Sequence, residues 1–394
     1  MVDPEGQIIA DFRIEHTAAG GRLWREKTAA LPRLGTAIET SFGAVVEQLL
    51  ESGVTVYPVN PMNAKRYRER KCGSGNKTGR HDAWAPAGAL RMDGHGWRTL
   101  SARDPLIAGL RMLCRDEVAL IGERTALINQ LQQALHEYHP TALEAFDDWT
   151  SPGPWAFVEA FPSAAALSKA GKRKGDKFLH SHKLYRPQTS EGRLAAFEKA
   201  GEWKANAALT AAKSLYAVAR CQPLRVLQKQ LEAYRERIAS LFASHSDSGL
   251  SGSLPGAGPK LAPRLCSSGI GSDRALFKNA QGPQCLAGTA PASCQPGQIH
   301  KVNLRRACNK NLRHAMPLFA DKSRAQCPWA SKYYGTLRER GKSHAQALRC
   351  PGQRWLKIIW KMWQTGTAYD AGLHLKNQLA HGSWVLQLTP QNPT

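Results

Sequence analysis

No cysteine in this chain pairs with another at the spacing of a metal or redox site, and no stretch reaches the roughly 18 apolar residues that a membrane span needs. The nine cysteines, at positions 72, 114, 221, 266, 285, 294, 308, 327 and 350, contain no Cys-x-x-Cys pair. Their number is odd. A zinc site and a disulfide framework are therefore not expected, and a reducing cytosol is the simpler setting. The opening residues, Met1 to His16, are acidic and carry no apolar signal-peptide run. A dinucleotide fingerprint and a Walker loop are also missing, which leaves little for an unrelated enzyme class. The expectation is a cytoplasmic protein with no membrane partner.

Acidic residues are scarce as well. Asp and Glu number 31 against 54 Lys and Arg, a formal charge of +23, and the sequence pI is near 9.9. The excess runs through the whole chain and is not gathered in one tail. A balance of this size points to a polyanionic partner, and nucleic acid is the usual one. The 394 residues, 42% of them hydrophobic, suffice for two or three domains with a real core.

Apolar periodicity sets the organisation. Residues 7–14 (QIIADFRI) and 53–59 (GVTVYPV) read as strands and 42–51 as a helix between them, an α/β pattern. Another helix is expected to begin at Asp82. From Asp104 to about Tyr138, leucines at 106, 110, 113, 120, 127, 131 and 135 predict one long helix. Leu224, Leu227, Leu231, Tyr234, Ile238 and Leu241 follow steps of 3, 4, 3, 4 and 3, a heptad seam that serves equally for an intramolecular bundle or a dimer. A Ser/Gly/Pro-rich stretch, 244–260, reads as a linker. Beyond it lies a basic region of short helices, in which Trp355, Ile359 and Trp363 lie four apart with Lys357 and Lys361 on another face, a packed core helix in preference to a base-stacking platform. The expected division is 1–103, 104–250, 251–370 and a tail from 371 to 394.

Chemistry is carried by few residues. Glu39 ends a short apolar strand, and Asp82 starts a helix, where a carboxylate also suits the helix dipole. Two carboxylates so placed can hold a divalent metal against a phosphodiester, yet a two-metal nuclease needs three or four. Each alone reads better as a solvated strand-end or helix-start acid. Leu254 to Ala262 (LPGAGPKLA) resembles a helix-hairpin-helix turn, with Gly256 and Gly258 letting backbone N–H groups approach a phosphate and Lys260 beside them. Lys301, Arg305, Arg306, Lys310 and Arg313 form a basic run whose spacing places several cations on one helix face, suited to phosphates or simply to water. Between Lys169 and Arg186, Asp176, His180 and His182 sit among too many cations to favour a metal.

These motifs resemble the DEDD-type insertion-sequence transposases of the group called IS one-ten. The matching text is TAIETSFG, GVTVYPVNPMNAKRYRER, KTGRHDAW and LRMDGHGWRTL in the first hundred residues. LPGAGPKLAPRL, LAGTAPASCQPG, VNLRRACNKNLRHAM and RERGKSHAQALR match in the C-terminal half. The match is collinear and covers all but roughly 150–250. The resemblance implies a RuvC-like, ribonuclease-H-like N-terminal domain using Asp, Glu, Asp and Asp with Mg2+. It also implies a C-terminal domain with a working serine, DNA as substrate, a structured guide RNA, and homo-oligomers through a coiled coil.

Carried over by position, the family glutamate falls on Glu39 and the last aspartate on Asp82. The third carboxylate falls on Gly79, and the serine falls on Pro296, ahead of Gly297. The family's first aspartate belongs to a strand expected to precede Met1. The expectation is therefore an incomplete ribonuclease-H-like α/β domain, a helical coiled-coil middle and a mostly α C-terminal domain. Functionally it is a transposase, DNA-binding and strand-transferring by resemblance, whose catalysis is impaired. The alternative is a non-catalytic nucleic-acid-binding remnant.

Overall fold

The computed structural model describes residues 1–31, 34–71, 78–100, 104–202, 206–271, 273–294 and 301–382. They fall into two compact units, Met1–Asp104 and Pro105–Thr394. Helix predominates, with four short strands among the described residues.

In the first unit, α1 (Ala18–Thr28) is capped by Thr17, whose hydroxyl accepts from the Gly20 N–H. There follow β1 (Gly35–Ile38), α2 (Ala44–Glu51) and β2 (Thr55–Pro58). β1 and β2 pair in parallel, from Gly35 opposite Thr55 to Ile38 opposite Pro58, the pairing that a strand–helix–strand connection permits. Val46 and Leu49 of α2 bury against Val54 and Val56. Leu100 adds an antiparallel bridge to Val56. α3 (Pro61–Lys71) and α4 (Gly79–Asp93) complete the unit and pack on each other.

The strand expected over 7–14 is not there: Val2 and Ile8 make one isolated bridge, and Ile8 and Ile9 stay exposed. β-branched residues make a strand only where a partner ladder and a buried face exist. This segment instead closes a local turn, in which the Gln7 N–H donates to Asp3 Oδ1 at 2.7 Å and Gly6 takes φ +93°.

The second unit is organised by two long helices, α5 (Pro105–Tyr138) and α10 (Ala207–Ala243). Four pairings fix their direction. The Cβ position of Gly109 lies 3.5 Å from Leu241, Glu117 pairs with Arg235, Arg124 donates to Gln228, and Glu137 pairs with Lys213. As one number rises the other falls, so the helices run antiparallel. The two leucine seams face each other inside one chain: Leu110, Leu131 and Leu135 bury on α5, and Leu224, Leu227, Leu231 and Ile238 bury on α10.

Between these helices in sequence, α6 (Pro140–Ala145), α7 (Pro152–Ala160), α8 (Ala164–Ser181) and α9 (Pro187–Lys199) enclose an aromatic core. Phe157 sits at its centre, with ring centroids 5.0 Å from Phe197, 5.1 Å from Phe146 and 5.2 Å from Phe161.

After α10 come α11 (Ser248–Gly252), α12 (Gly258–Leu265) and α13 (Gln281–Leu286). The antiparallel pair β3 (Ala292–Cys294) and β4 (Lys301–Asn303) follows. The unit then continues through α14 (Lys310–Arg324), α15 (Pro328–Glu339), α16 (His344–Thr365) and α17 (Ala371–Ala380). Ser343 and Gln346 form a capping box at the start of α16, which stabilises the end by satisfying two orphan N–H groups. Trp355, fully buried, packs on Phe319 and Trp329 and donates its Nε1–H to Ser323 Oγ at 2.9 Å. Burial requires that partner, because an unsatisfied indole N–H is costly. No described helix is long and apolar enough to cross a membrane.

Candidate active site and nucleic-acid interface

Glu39 stands exposed in the bend directly after β1. Asp82 lies in the first turn of α4. That helix begins at Gly79, because the Thr78 hydroxyl caps it by accepting from the His81 N–H at 3.3 Å. α4 packs on β1, with Leu90 beside Gly35. Asp82 is not free: Arg68, one turn before the end of α3, makes an ion pair with it. A Cβ on Gly79 would meet nothing within 4 Å, so the position has room for a side chain and offers none.

The implied Mg2+ does not fit this arrangement. Among the described residues, no three His, Cys, Asp or Glu side chains gather where a metal could be held. Divalent cations of this kind want several oxygen ligands; here one candidate carboxylate is met by a guanidinium and another position is glycine. Pro296 and Gly297 lie outside the described residues. Ser293, the nearest hydroxyl in sequence, is exposed on β3.

The basic run is not one helix. Lys301 belongs to β4, Arg305 and Arg306 to the following loop, and Lys310 and Arg313 to the first turn of α14. Asn309 sets that boundary, since its Oδ1 accepts from Asn311 and Leu312 N–H groups at 3.0 and 3.1 Å. Arg306 and Lys310 are exposed. Arg313 folds back to donate to the Arg305 carbonyl, fixing the loop at the helix start.

The Gly256 and Gly258 turn also works differently from its sequence appearance. Both glycines have positive φ, +81° and +54°. A Cβ on Gly256 would stand 2.6 Å from the Lys322 carbonyl carbon and 2.8 Å from the Ser323 nitrogen. The close approach at Gly256 is thus to the backbone of α14. Gly258 opens α12 with nothing within 4 Å of its Cβ position, and Lys260 on that helix is exposed. Arg235 first, then burial, and more weakly Arg124 and Arg264 hold the Lys260 ammonium below the usual lysine range, against the opposing pull of Glu117. Positive charge concentrated this way attracts an anion.

A cleft of about 540 Å³ opens between the α13 region, β3, the Arg305 loop and α16; Asn279, Gln284, Ser293, Arg305, Gln353 and Lys357 line it. Of these, only Arg305 is visible from the basic run. Lys357 sits on the face opposite the tryptophan spacing of α16, as the sequence places it, whereas nothing in the spacing singles out Gln353. Arg68 is likewise illegible from sequence, being 14 positions from Asp82. Burial pushes the Cys114 thiol up to about 11 and those of Cys221 and Cys266 up to about 12, which disfavours the thiolate.

A family profile described as "Transposase" matches residues 1–140, and one described as "Transposase IS116/IS110/IS902 family" matches residues 251–335. From Streptomyces coelicolor, the "Mini-circle putative transposase for IS117" is 30% identical over 94% of this chain and 92% of its own length. The 43.6 kDa protein of insertion element IS110, from the same organism, is 26% identical over 96% of this chain and 93% of its own. The 44.8 kDa protein of IS116, from Streptomyces clavuligerus, is 24% identical over 92% and 90%. A collinear match of this extent, through both the carboxylate-bearing unit and the glycine-turn region, makes the chain a member of the IS110 family of insertion-sequence transposases.

Proposed function

We propose that this transposase binds DNA through its C-terminal unit and is impaired in strand cleavage and transfer. One observation carries the impairment: Arg68 occupies Asp82 while Gly79 contributes no carboxylate. A phosphodiester opened with metal help needs two cations or one well-held cation to neutralise charge on the attacking and leaving oxygens. An arginine on one of the two remaining carboxylates competes with that role. Binding is supported by the exposed Arg306 and Lys310 and by the positive surroundings of Lys260. Cations at these places neutralise phosphates without reading sequence. In this reading Glu39 and Asp82 are the remnants of the metal site. Gly258, Lys260, Lys301, Arg305, Arg306, Lys310 and Arg313 serve the nucleic acid, and Gly256 shapes the turn.

The reading keeps the division into a ribonuclease-H-like region over 1–103, a helical connector over 104–250, a C-terminal transposase region over 251–370 and a tail. A guide RNA and self-association through the connector belong to it as further expectations. The test is strand cleavage and transfer on element-end DNA with Mg2+ and the element's own RNA, comparing this chain with the double variant Gly79→Asp, Pro296→Ser. Activity in the double variant alone supports impairment at those positions. Full activity in the unaltered chain sinks it.

A further inference from the structure

The cleft beside β3 carries charge and shape that general phosphate contact does not require. Among the described residues its lining holds two cations, Arg305 and Lys357, and no carboxylate. Arg305 is half-buried; its Nη2 reaches the Pro291 carbonyl only at 3.4 Å, and its Nε is buried without a partner. Because the Nε is sealed from solvent, the terminal nitrogens of this guanidinium are the donors left for an oxyanion at the cleft wall. Lys357 is exposed on α16. The walls are firm: Gln284 is 4% exposed and donates its Nε2–H to the Gln353 carbonyl at 2.8 Å, and the Gln284 carbonyl accepts from the Thr289 and Ala290 N–H groups. The Ser293 hydroxyl and amide side chains from Asn279, Gln281 and Gln353 add further polar surface, the Asn279 oxygen already accepting from the Gln281 N–H.

About 540 Å³ is small-ligand size. It is too small for a duplex and sufficient for one nucleotide. Amide side chains suit the hydrogen-bonding edges of an unpaired base. We propose that this cleft takes one unpaired nucleotide of a nucleic-acid strand, with the phosphate between Arg305 and Lys357 and the base against the amides. The proposal rests on the nucleic-acid-binding reading above and deepens it: the cleft selects single-stranded over duplex nucleic acid.

The experiment uses the full chain and a fluorescein-labelled 12-mer of mixed sequence, single-stranded and as duplex, followed by anisotropy across a salt series. Lys357→Ala and Gln353→Ala are compared with Arg306→Ala, a loop cation outside the lining. Lys357→Ala should weaken the single strand about fivefold and lower its salt slope by roughly 0.7, one phosphate contact, leaving the duplex within twofold. Arg306→Ala should weaken both alike. As a second readout, the single-stranded 12-mer should slow alkylation of Cys285, which lines the same cleft, as followed by peptide mass spectrometry; thymidine monophosphate at equal phosphate should protect much less, since it lacks the flanking strand contacts. Equal loss on both DNA forms with Lys357→Ala, or no protection of Cys285, overturns the cleft while leaving general binding in place. Equal protection by the mononucleotide makes this a free-nucleotide site and overturns the strand assignment. Binding of neither DNA form overturns the broader reading and the cleft together.

Discussion

Glu117 Oε2 accepts a hydrogen bond from Arg264 Nη2 at 2.7 Å, with the two side chains only 2% and 9% exposed. Its other oxygen takes Arg235 Nε at 3.1 Å. One carboxylate on α5 thereby holds α10 and α12 together, joining the long helix pair to the glycine turn. Removing it leaves buried guanidinium charge unmatched. Glu117→Ala is expected to cost about 3–5 kcal/mol, measured by urea unfolding followed by circular dichroism. Arg235→Ala, at a partner 26% exposed, should cost clearly less. Equal costs would show that Arg264 is not the partner that matters.

The two turn glycines should separate cleanly. Gly256→Ala forces a Cβ into the α14 backbone at a positive φ, so it is expected to destabilise by more than about 1 kcal/mol. Gly258→Ala carries only the conformational penalty, about 1 kcal/mol. If thermal melts rank them the other way, the packing role assigned to Gly256 is wrong.

Gly79→Asp should fold normally. Its Cβ position is open, and an acid in the first helical turn is favourable by about 0.3–1 kcal/mol. Combined with Arg68→Ala, it should raise Mn2+ affinity measured by calorimetry, whereas Arg68→Ala alone should raise it less. No gain from either would mean that the Arg68–Asp82 pair does not block a metal position.

Burial lowers the His139 pKa to about 4 from the ordinary 6.5. The unfolded chain binds that proton at higher pH than the folded one does, so stability rises with pH through this window. The contribution is complete above about 6.5 and is lost as pH falls toward 4, by roughly 3 kcal/mol for this residue. His139→Leu should flatten the acid side of the stability profile between those values; an unchanged slope assigns the acid sensitivity elsewhere.

Glu39→Ala is expected to leave DNA binding intact, because Glu39 is exposed and far in sequence from the cations. Lys301→Ala with Arg305→Ala should weaken binding and reduce the salt dependence by about two phosphate contacts. Loss of binding with Glu39→Ala would give that residue a structural role.

Helix α5 and the second half of α10 were legible because periodicity is a local property: leucines spaced by three and four put one apolar stripe on each wherever those helices end up. The core face of α16, marked by Trp355, Ile359 and Trp363, was legible for the same reason, as was the α2–β2 unit. What failed were features that depend on a partner. Residues 7–14 have strand composition but no ladder to join. The basic run from Lys301 to Arg313 has helical spacing, yet β3 pairs with its first residues and Asn309 starts the helix only at Lys310. Sequence left the heptad seam open between a bundle and a dimer; folding turned the α10 seam onto α5 of the same chain.

The candidate site divides along the same line. Charge, the glycine turn, Glu39, Asp82 and the collinear motifs around them are properties of residue identity and position, and the resemblance to the family, with Gly79 where it expects a carboxylate and Pro296 where it expects a serine, was legible from them. Whether Asp82 is free, what Gly256 approaches, and which outward residues of α16 meet Arg305 across a cleft depend on contacts between segments tens of residues apart. Spacing along one segment carries no information about what another segment brings to it, so these were settled only when the chain folded.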